Sequence, residues 1–488
     1  MKRFAAALAA LLAVAAGCAV GPDYRRPDVT VIPGGYVEES GEAAAPMPGA
    51  THGWWRDLGS PELDALVEEA LANNPDAAAA AARVLAARAR LDGANASRLP
   101  SVEVGGTATR SQTSRARFGG MGSFYQNFYT ASATAAYELD LWGRLSRTRR
   151  AAWASALASE TDRRTVQQAL VADVVRAWLA VREATDQLAL GRKTLAAYER
   201  SRDMVEDRYM AGVVSSVDLH LARQNVASAG ALVALREQEQ AGARRALELL
   251  LGRYPAGAAG AEGPGLADLP ALAPVPAGLP SELLERRPDI LSAEMRLMAA
   301  TEGIGAAKAD LFPKLAVTGE YGYNSSLLED LLEDASNVWS LAGSLAMPLL
   351  NRGARTSQVD VARADAAEAE AAYVGTVLNG FREVESALTA GRTLGERRAR
   401  LRESVDHARR SLAIAEDRYR QGLDGYLTVL DTQRRLLQAE SDWLGAERSW
   451  RAARVDLVLA LGGDWDEPDA DEPVSDAKNI SGELPRNR

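Results

Sequence analysis

Apolar and small residues recur at alternating spacings of four and three along the first half of the chain, where no proline occurs between Pro100 and Pro255. This spacing is a heptad seam, along which one helix packs against another. A single helix over 143–210 would be about 100 Å long at a rise of 1.5 Å per residue. Arg202 is the only plainly polar residue of the seam. The seam consists of Leu170, Val174, Ala177, Val181, Ala184, Leu188, Gly191, Leu195, Tyr198, Arg202, Val205 and Tyr209.

The seam recurs in the second half of the chain, displaced by 210 residues. The spacing Tyr209-x-x-Gly212 recurs as Tyr419-x-x-Gly422 at the same offset. Such self-similarity indicates an internal duplication. Each half is predicted to run helix, strand pair, long helix, turn, helix. The second seam consists of Gly380, Val384, Ala387, Gly391, Leu394, Arg398, Leu401, Val405, Ala408, Leu412, Ala415 and Tyr419.

Helix-start signals and composition changes set the segment boundaries. Ser60 is a candidate N-cap with Pro61 at the first helical position, and Asn73-Asn74-Pro75 predicts a helix break. The predicted segments are a lipoprotein signal peptide at 1–17, an extended arm at 18–60, a first repeat at 61–254, a Pro/Gly-rich linker at 255–280, a second repeat at 281–463 and an acidic tail at 464–488.

Each repeat contains two segments with strand-like alternation. Tyr129 and Tyr137 share one strand face and lie about 27 Å apart along it, which suits aromatic girdles flanking an apolar band, with Trp339 in the second repeat. An edge hairpin in a soluble sheet is the alternative interpretation. The four strands are predicted at 101–109, 128–139, 315–323 and 338–347.

Four strands cannot close a barrel, and a bilayer does not tolerate open sheet edges. If the strands cross a membrane, several chains must each contribute four, and we predict pairing only within hairpins and across chains. The helical seams are flanked by many Arg, Asp and Glu residues, so the helices must stand in water. The expected helical architecture is a coiled-coil tube that continues the barrel.

Composition narrows the classes of function. The formal net charge is -10, from 56 basic and 66 acidic residues, which argues against a nucleic-acid partner. Beyond residue 17 no stretch of 18 apolar residues occurs, which excludes further transmembrane helices. Three scattered histidines, a single cysteine and the lack of a Gly-rich phosphate loop argue against a metal site, a cofactor and an enzyme.

The N-terminus reads as an export signal. Lys2 and Arg3 precede an apolar run from Phe4 to Ala16, and Cys18 follows the small residue Gly17. This arrangement predicts cleavage after Gly17 and lipidation of Cys18. An ordinary signal peptide with an incidental cysteine is the alternative. One acyl chain holds a membrane only marginally, so stable residence needs a second attachment.

Several motifs together resemble the TolC-like outer-membrane factors, in particular the lipoprotein branch that serves resistance-nodulation-division efflux pumps. They are spread over nearly the whole mature chain. The motifs are GCAVGPDYRRP at 17–27, WWRDLGSPELDALVEEALANNPD at 54–76, YELDLWGR at 137–144, ERRPDILSAEMRLMAATEGIGAAKADLFPKL at 285–315 and YRQGLDGYLTVLDTQRRLLQAE at 419–440.

The resemblance implies a mainly α fold with a transmembrane β portion. Three chains would form a homotrimer with a twelve-stranded β-barrel in the outer membrane of a Gram-negative bacterium and a long periplasmic α-helical barrel. Partners would be a periplasmic membrane-fusion adaptor, an inner-membrane pump and outer-membrane lipid. A type I protein-secretion duct is the nearest rival, although the lipid anchor and GPDYRRP favour efflux. A periplasmic coiled-coil adaptor without a barrel is the rival of another class.

The resemblance also implies a gate at the periplasmic end. Asp431 matches an acid that forms a constriction ring, and Arg434 matches a nearby base. Asp218 matches an acid that hydrogen-bonds the tyrosine matching Tyr419. Rings of carboxylates across a pore favour cations. Each residue also has a plainer interpretation: Ser216 could cap a helix with Asp218 in its first turn, Asp431 could lie on a solvated face, and Tyr419 could be an ordinary seam residue.

Overall fold

The computed structural model describes most of the chain as two copies of one succession of helices and strands. The described residues are 19–27, 35–37, 53–113, 124–260, 263–270, 280–347, 349–350 and 352–463. The predicted signal peptide, Cys18 and the acidic tail lie outside them.

Both repeats follow the predicted order of elements. The first comprises α1 (Pro61–Asn73), α2 (Pro75–Ala96), β1 (Ser101–Thr113), β2 (Phe124–Leu139), α3 (Arg144–Met210) and α4 (Ser216–Leu250). The second comprises α5 (Pro280–Arg286), α6 (Pro288–Ala309), β3 (Lys314–Ser325), β4 (Asn337–Ala346), α7 (Arg352–Arg420) and α8 (Tyr426–Ala460). None of the helices in the described ranges combines the length and apolar character that crossing a membrane requires.

Local side-chain chemistry sets the first helix boundaries, as predicted. The Ser60 hydroxyl accepts a hydrogen bond from the Leu63 amide (3.3 Å) and caps α1. The Asn74 side-chain oxygen accepts hydrogen bonds from the amides of Asp76 (2.8 Å) and Ala77 (3.2 Å). Asn74 therefore stops α1 and starts α2 within one residue.

The turn after each long helix has a glycine at the same position in both repeats, for a conformational reason. Gly212 and Gly422 have φ angles of 71° and 76°, a left-handed conformation that side chains with a Cβ rarely adopt. Their amides bond the carbonyl oxygens of Tyr209 (2.9 Å) and Tyr419 (3.0 Å), and the next amide bonds the preceding arginine. This is a Schellman ending, which satisfies the last carbonyls of α3 and α7.

The four strands form one antiparallel sheet in the order β1-β2-β3-β4. Strand β2 pairs with β3 from Tyr129↔Ser325 to Leu139↔Leu315. The prediction of pairing only within hairpins and across chains is therefore wrong. Because β2 and β3 belong to different repeats and run antiparallel, their pairing removes two edges within the chain. Strands β1 and β4 remain as the edges of this sheet.

The register gives the sheet one apolar face and one polar face, which confirms the predicted alternation. The apolar face carries Val102, Val104, Gly106, Ala108, Tyr129, Ala131, Ala133, Ala135, Tyr137, Leu139, Leu315, Val317, Gly319, Tyr321, Tyr323, Trp339, Leu341, Gly343 and Leu345. The more polar face carries Glu103, Thr107, Thr109, Thr130, Ser132, Thr134, Glu138, Lys314, Thr318, Glu320, Ser340 and Ser344, together with the apolar Phe128, Ala136, Ala316, Val338 and Ala342. The Oγ1 atoms of Thr107 and Thr130 lie 2.5 Å apart on the polar face.

The chain divides into two compact units. The first consists of the described parts of Met1–Val29, Ala82–Thr161 and Ser292–Thr376, and it includes the sheet. The second consists of the described parts of Thr30–Ala81, Asp162–Leu291 and Val377–Arg488.

The second unit has a hydrophobic core around Trp178, which is fully buried. Trp55 and Leu266 belong to this core, although they come from the predicted arm and linker. Each sits in a short 3-10 helix, Trp54–Leu58 or Leu266–Asp268. The described parts of both segments are therefore held in place by burial of apolar side chains, which their Pro- and Gly-rich composition did not indicate.

In the first unit, buried charges hold the N-terminal segment 19–27. The Arg147 guanidinium is almost fully buried and donates to Glu302 Oε2 (3.0 Å), Asp23 Oδ1 (2.8 Å) and the Pro22 carbonyl oxygen (3.0 Å). The buried carboxylate of Glu294 accepts hydrogen bonds from the Tyr24 hydroxyl and the Arg26 guanidinium. The segment is thus bound through two buried acids of α6.

Candidate functional site: the turns that end the long helices

The candidate site lies where two turns, 211–215 and 421–425, join the long helices to their partners in the second unit. An apolar cluster packs the four helix ends together around these turns. It consists of Val205, Leu219, Ala222, Ala415, Tyr419, Tyr426 and Val429.

Tyr419 is the centre of this cluster and is only 4% exposed. Its ring centroid lies 5.9 Å from that of Tyr426. Its hydroxyl has no hydrogen-bond partner within the described part of the chain. The hydrogen bond predicted between Tyr419 and Asp218 is not formed, because the phenol is buried among apolar groups and the carboxylate is engaged elsewhere.

The Asp218 carboxylate caps its own helix. Asp218 Oδ2 accepts hydrogen bonds from the Ser215 amide (3.2 Å) and hydroxyl (3.0 Å), and the Ser215 hydroxyl accepts one from the Asp218 amide (3.3 Å). This reciprocal arrangement is a capping box at the start of α4. The N-cap is therefore Ser215 rather than Ser216, and the plainer interpretation of Asp218 accounts for its contacts.

Tyr419 is instead contacted by Arg208, a residue of the other repeat that the sequence did not single out. Its Nη1 donates to the backbone carbonyl oxygen of Tyr419 (2.8 Å). Its guanidinium carbon lies 4.6 Å from the centroid of the Tyr419 ring. Arg208 thus joins the last turn of α3 to the last turn of α7.

Asp431 lies inside α8, as predicted, and its side chain is 57% exposed. Its carboxylate pairs with Arg435 one turn further on, with 2.6 Å between Oδ2 and Nε. Arg434, the predicted base, is exposed and lies three residues after Asp431 on the same side of α8. Burial raises the pKa of the Tyr198 hydroxyl, and the positive charge of Arg434 opposes that shift.

Four exposed residues follow one another along α8 at spacings of four, three and four, which places them on one face of the helix. They are Leu427, Asp431, Arg434 and Gln438. Leu427 is 62% exposed although it is a large apolar residue. The opposite face is buried through Tyr426, Val429, Leu430 and Gln433. The acid-bearing face is therefore the side of α8 that this chain leaves uncovered.

The three aromatic residues predicted for the girdle share the apolar face of the sheet. Tyr137 pairs with Val317, and Trp339 pairs with Tyr321. Trp339 is 74% exposed. Large apolar side chains outside a packed core are typical of surfaces that meet lipid or a partner. Cys18, the predicted lipidation site, lies outside the described residues.

Comparison with known proteins gives one family. The family model for outer membrane efflux proteins matches residues 66–253 and 279–463, one match for each repeat. Outer membrane protein OprJ of Pseudomonas aeruginosa is 36% identical over 466 residues, covering 94% of this chain and 96% of its own. The toluene efflux pump outer membrane protein TtgF of Pseudomonas putida is 34% identical over 468 residues, covering 94% and 96%.

A solved structure agrees with these relatives in fold. The outer-membrane channel OprN superposes with a TM-score of 0.85 at 31% sequence identity. The superposition covers 92% of this chain and all of the OprN chain.

Proposed function

Because the chain belongs to the outer membrane efflux protein family, we propose that it is a gated duct served by an inner-membrane resistance-nodulation-division pump and a periplasmic adaptor. It is the outer-membrane exit channel of a tripartite efflux system and has the trimeric TolC-like fold. The family is one of transport proteins. A periplasmic adaptor without a barrel disagrees with the four-stranded sheet and with membership of this family. A protein-secretion duct is disfavoured because the relatives are efflux proteins.

Small organic molecules are the cargo that we propose. The relative TtgF is named for toluene efflux. A duct is lined generically and its pump selects what enters.

The proposed gate is formed by three copies of the exposed face of α8. The observation that carries it is the acid-bearing face, uncovered in one chain and ending beside the turn at 421–425. In a trimer this face would lie against either the threefold axis or a neighbouring chain. Three Asp431 carboxylates around an axis would attract cations and repel one another. Arg434 and Arg435 would moderate that repulsion.

Asp431→Asn is expected to reduce cation selectivity and to weaken block by multivalent cations, because it removes one charge per chain from the proposed ring. Reversal potentials under a salt gradient in planar bilayers measure the first effect, and titration with a trivalent cation measures the second. Asp442→Asn is the matched control, since it removes the same charge from an exposed position of α8 further from the turn. Equal behaviour of the two variants would refute the ring.

Acylation of Cys18 is the proposed second attachment to the membrane. Val20, two residues further on, donates its amide to the carbonyl oxygen of Trp142 (3.2 Å), just beyond the end of β2. The start of the described chain therefore lies beside a strand end, where a lipid anchor would be within reach of the bilayer.

Mass spectrometry of the mature N-terminal peptide is expected to find an acylated Cys18 as its first residue. Cys18→Ser should lower membrane retention of the arm while leaving part of the channel function, because a barrel is the stronger anchor. An unmodified peptide that begins at another residue would exclude this assignment.

A further inference from the structure

We infer that Arg208 is a latch that fastens the two helix pairs of one protomer to each other at the gate end. The inference rests on the proposed function for its role in gating, but the latch itself is a contact within one chain. One helix pair is α3 with α4, and the other is α7 with α8.

The contact suits a cation at the C-terminal end of a helix. The Tyr419 carbonyl belongs to the last turn of α7, where backbone oxygens lack intrahelical partners and carry partial negative charge. It already accepts a hydrogen bond from Gly422, and Arg208 Nη1 supplies a second donor at 2.8 Å. The guanidinium also covers the Tyr419 ring, a cation–π arrangement that favours arginine.

The duplication explains why Arg208 reaches across while its counterpart does not. At the offset of 210 residues, Arg208 corresponds to Arg418. Arg418 is bound within its own turn by Asp424, with 2.7 Å between Nε and Oδ2. The position that corresponds to Asp424 in the first repeat is Val214. Arg208 therefore has no acid in its own turn.

The tyrosines that precede the two turns also differ, in how far each is buried. Tyr419 is 4% exposed under Arg208, whereas its counterpart Tyr209 is 39% exposed. The repeats are thus equivalent in backbone but not in contacts. One valine in place of an aspartate leaves Arg208 available to the other helix pair.

Val214→Asp tests the latch without removing Arg208. The new carboxylate stands where Asp424 stands in the second repeat, so it should hold Arg208 within its own turn as Asp424 holds Arg418. The trimer should then show faster hydrogen–deuterium exchange at the amides of 421–424, by about tenfold, which corresponds to ~1.4 kcal/mol. Arg208→Gln should have the same effect.

Val214→Asn is the control for shape and for lost packing, because Val214 packs against the apolar cluster and asparagine is nearly isosteric with the aspartate but has no charge to hold the guanidinium. The effect of the charge is the excess of exchange in Val214→Asp over Val214→Asn. If Val214→Asp and Val214→Asn exchange alike, or if Arg208→Gln leaves 421–424 as protected as in the parent, the latch does not exist. Thermal melting of each trimer verifies that the variants are folded.

Conductance in planar bilayers separates the latch from the gate. Faster exchange together with higher conductance supports both. Faster exchange with parental conductance leaves the latch established and refutes the proposed gate at this end of the helices.

Discussion

Glu302→Ala is expected to produce a large loss of stability, because among the described residues it leaves the buried Arg147 guanidinium only the exposed Asp23 as an acid partner. The side chains of Glu302 and Arg147 are 4% and 2% exposed, and their closest N and O atoms are 3.0 Å apart. Removal of one partner from a buried ion pair costs about 3–5 kcal/mol. The fraction of heat-resistant trimer on semi-native gels and the thermal melting temperature both measure the loss.

Two further variants separate the buried charge from simple loss of packing. The double substitution Arg147→Met with Glu302→Leu removes both charges of the buried pair and retains volume, so it should recover much of the lost stability. The more exposed Arg150, whose Nε lies 3.4 Å from Glu302 Oε2, loses its partner equally in both variants. Arg363→Ala is the control for an exposed pair. Its partner is Asp360, the two side chains are 58% and 70% exposed, and the expected cost is about 0–1 kcal/mol. A Glu302→Ala trimer as stable as the Arg363→Ala trimer would show that the buried pair is unimportant.

Features decided by neighbours in sequence could be predicted. Ser60 and Asn74 act on backbone amides within three residues, so their roles follow from residue type and spacing. The glycines of the two Tyr-x-x-Gly turns serve a backbone angle that few other residues adopt. The heptad seam and the strand alternation likewise follow from the geometry of helices and strands. The duplication, the element order and the faces of the sheet were therefore accessible.

The choice that a charged side chain makes between a local and a distant partner could not be predicted. Asp218 had two possible partners, the tyrosine across the turn and its own Ser215, and the local cap is the one formed. Asp431 pairs with Arg435 one turn further along α8, although Arg434 is equally close to it in sequence. A sequence shows which charges exist, but the choice among partners depends on side-chain directions that only the packed structure defines.

The pairing of β2 with β3 was missed for a related reason. Hairpins are signalled by the short connection between their strands, whereas β2 and β3 are separated by the whole of α3, α4, α5 and α6. No local pattern indicates such a pairing. The ladder nevertheless joins the two repeats within the sheet, so a substitution that breaks it should affect assembly of the whole sheet.

Gly322→Ala is expected to disrupt the β2–β3 ladder and to lower the yield of assembled trimer. A Cβ at Gly322 would lie 2.6 Å from the Cα of Ser132, its partner in the register, and would also collide with the backbone carbonyl oxygen of Ala131. Backbone atoms of a paired strand cannot turn aside as a flexible side chain can, so the two strands must move apart. Overpacking of this kind costs about 1–3 kcal/mol.

Gly343→Ala is the matched control, because it makes the same substitution in β4, where no atom in the described part of the same chain lies within 4 Å of an added Cβ. The quantity measured is the heat-resistant trimer recovered from outer membranes at equal expression, with ion conductance per unit of membrane protein in planar bilayers as the second readout. Gly343→Ala should match the parent in both, whereas Gly322→Ala should fall short in both. Equal recovery of the two variants would mean that β2 and β3 do not approach each other this closely in the assembled channel.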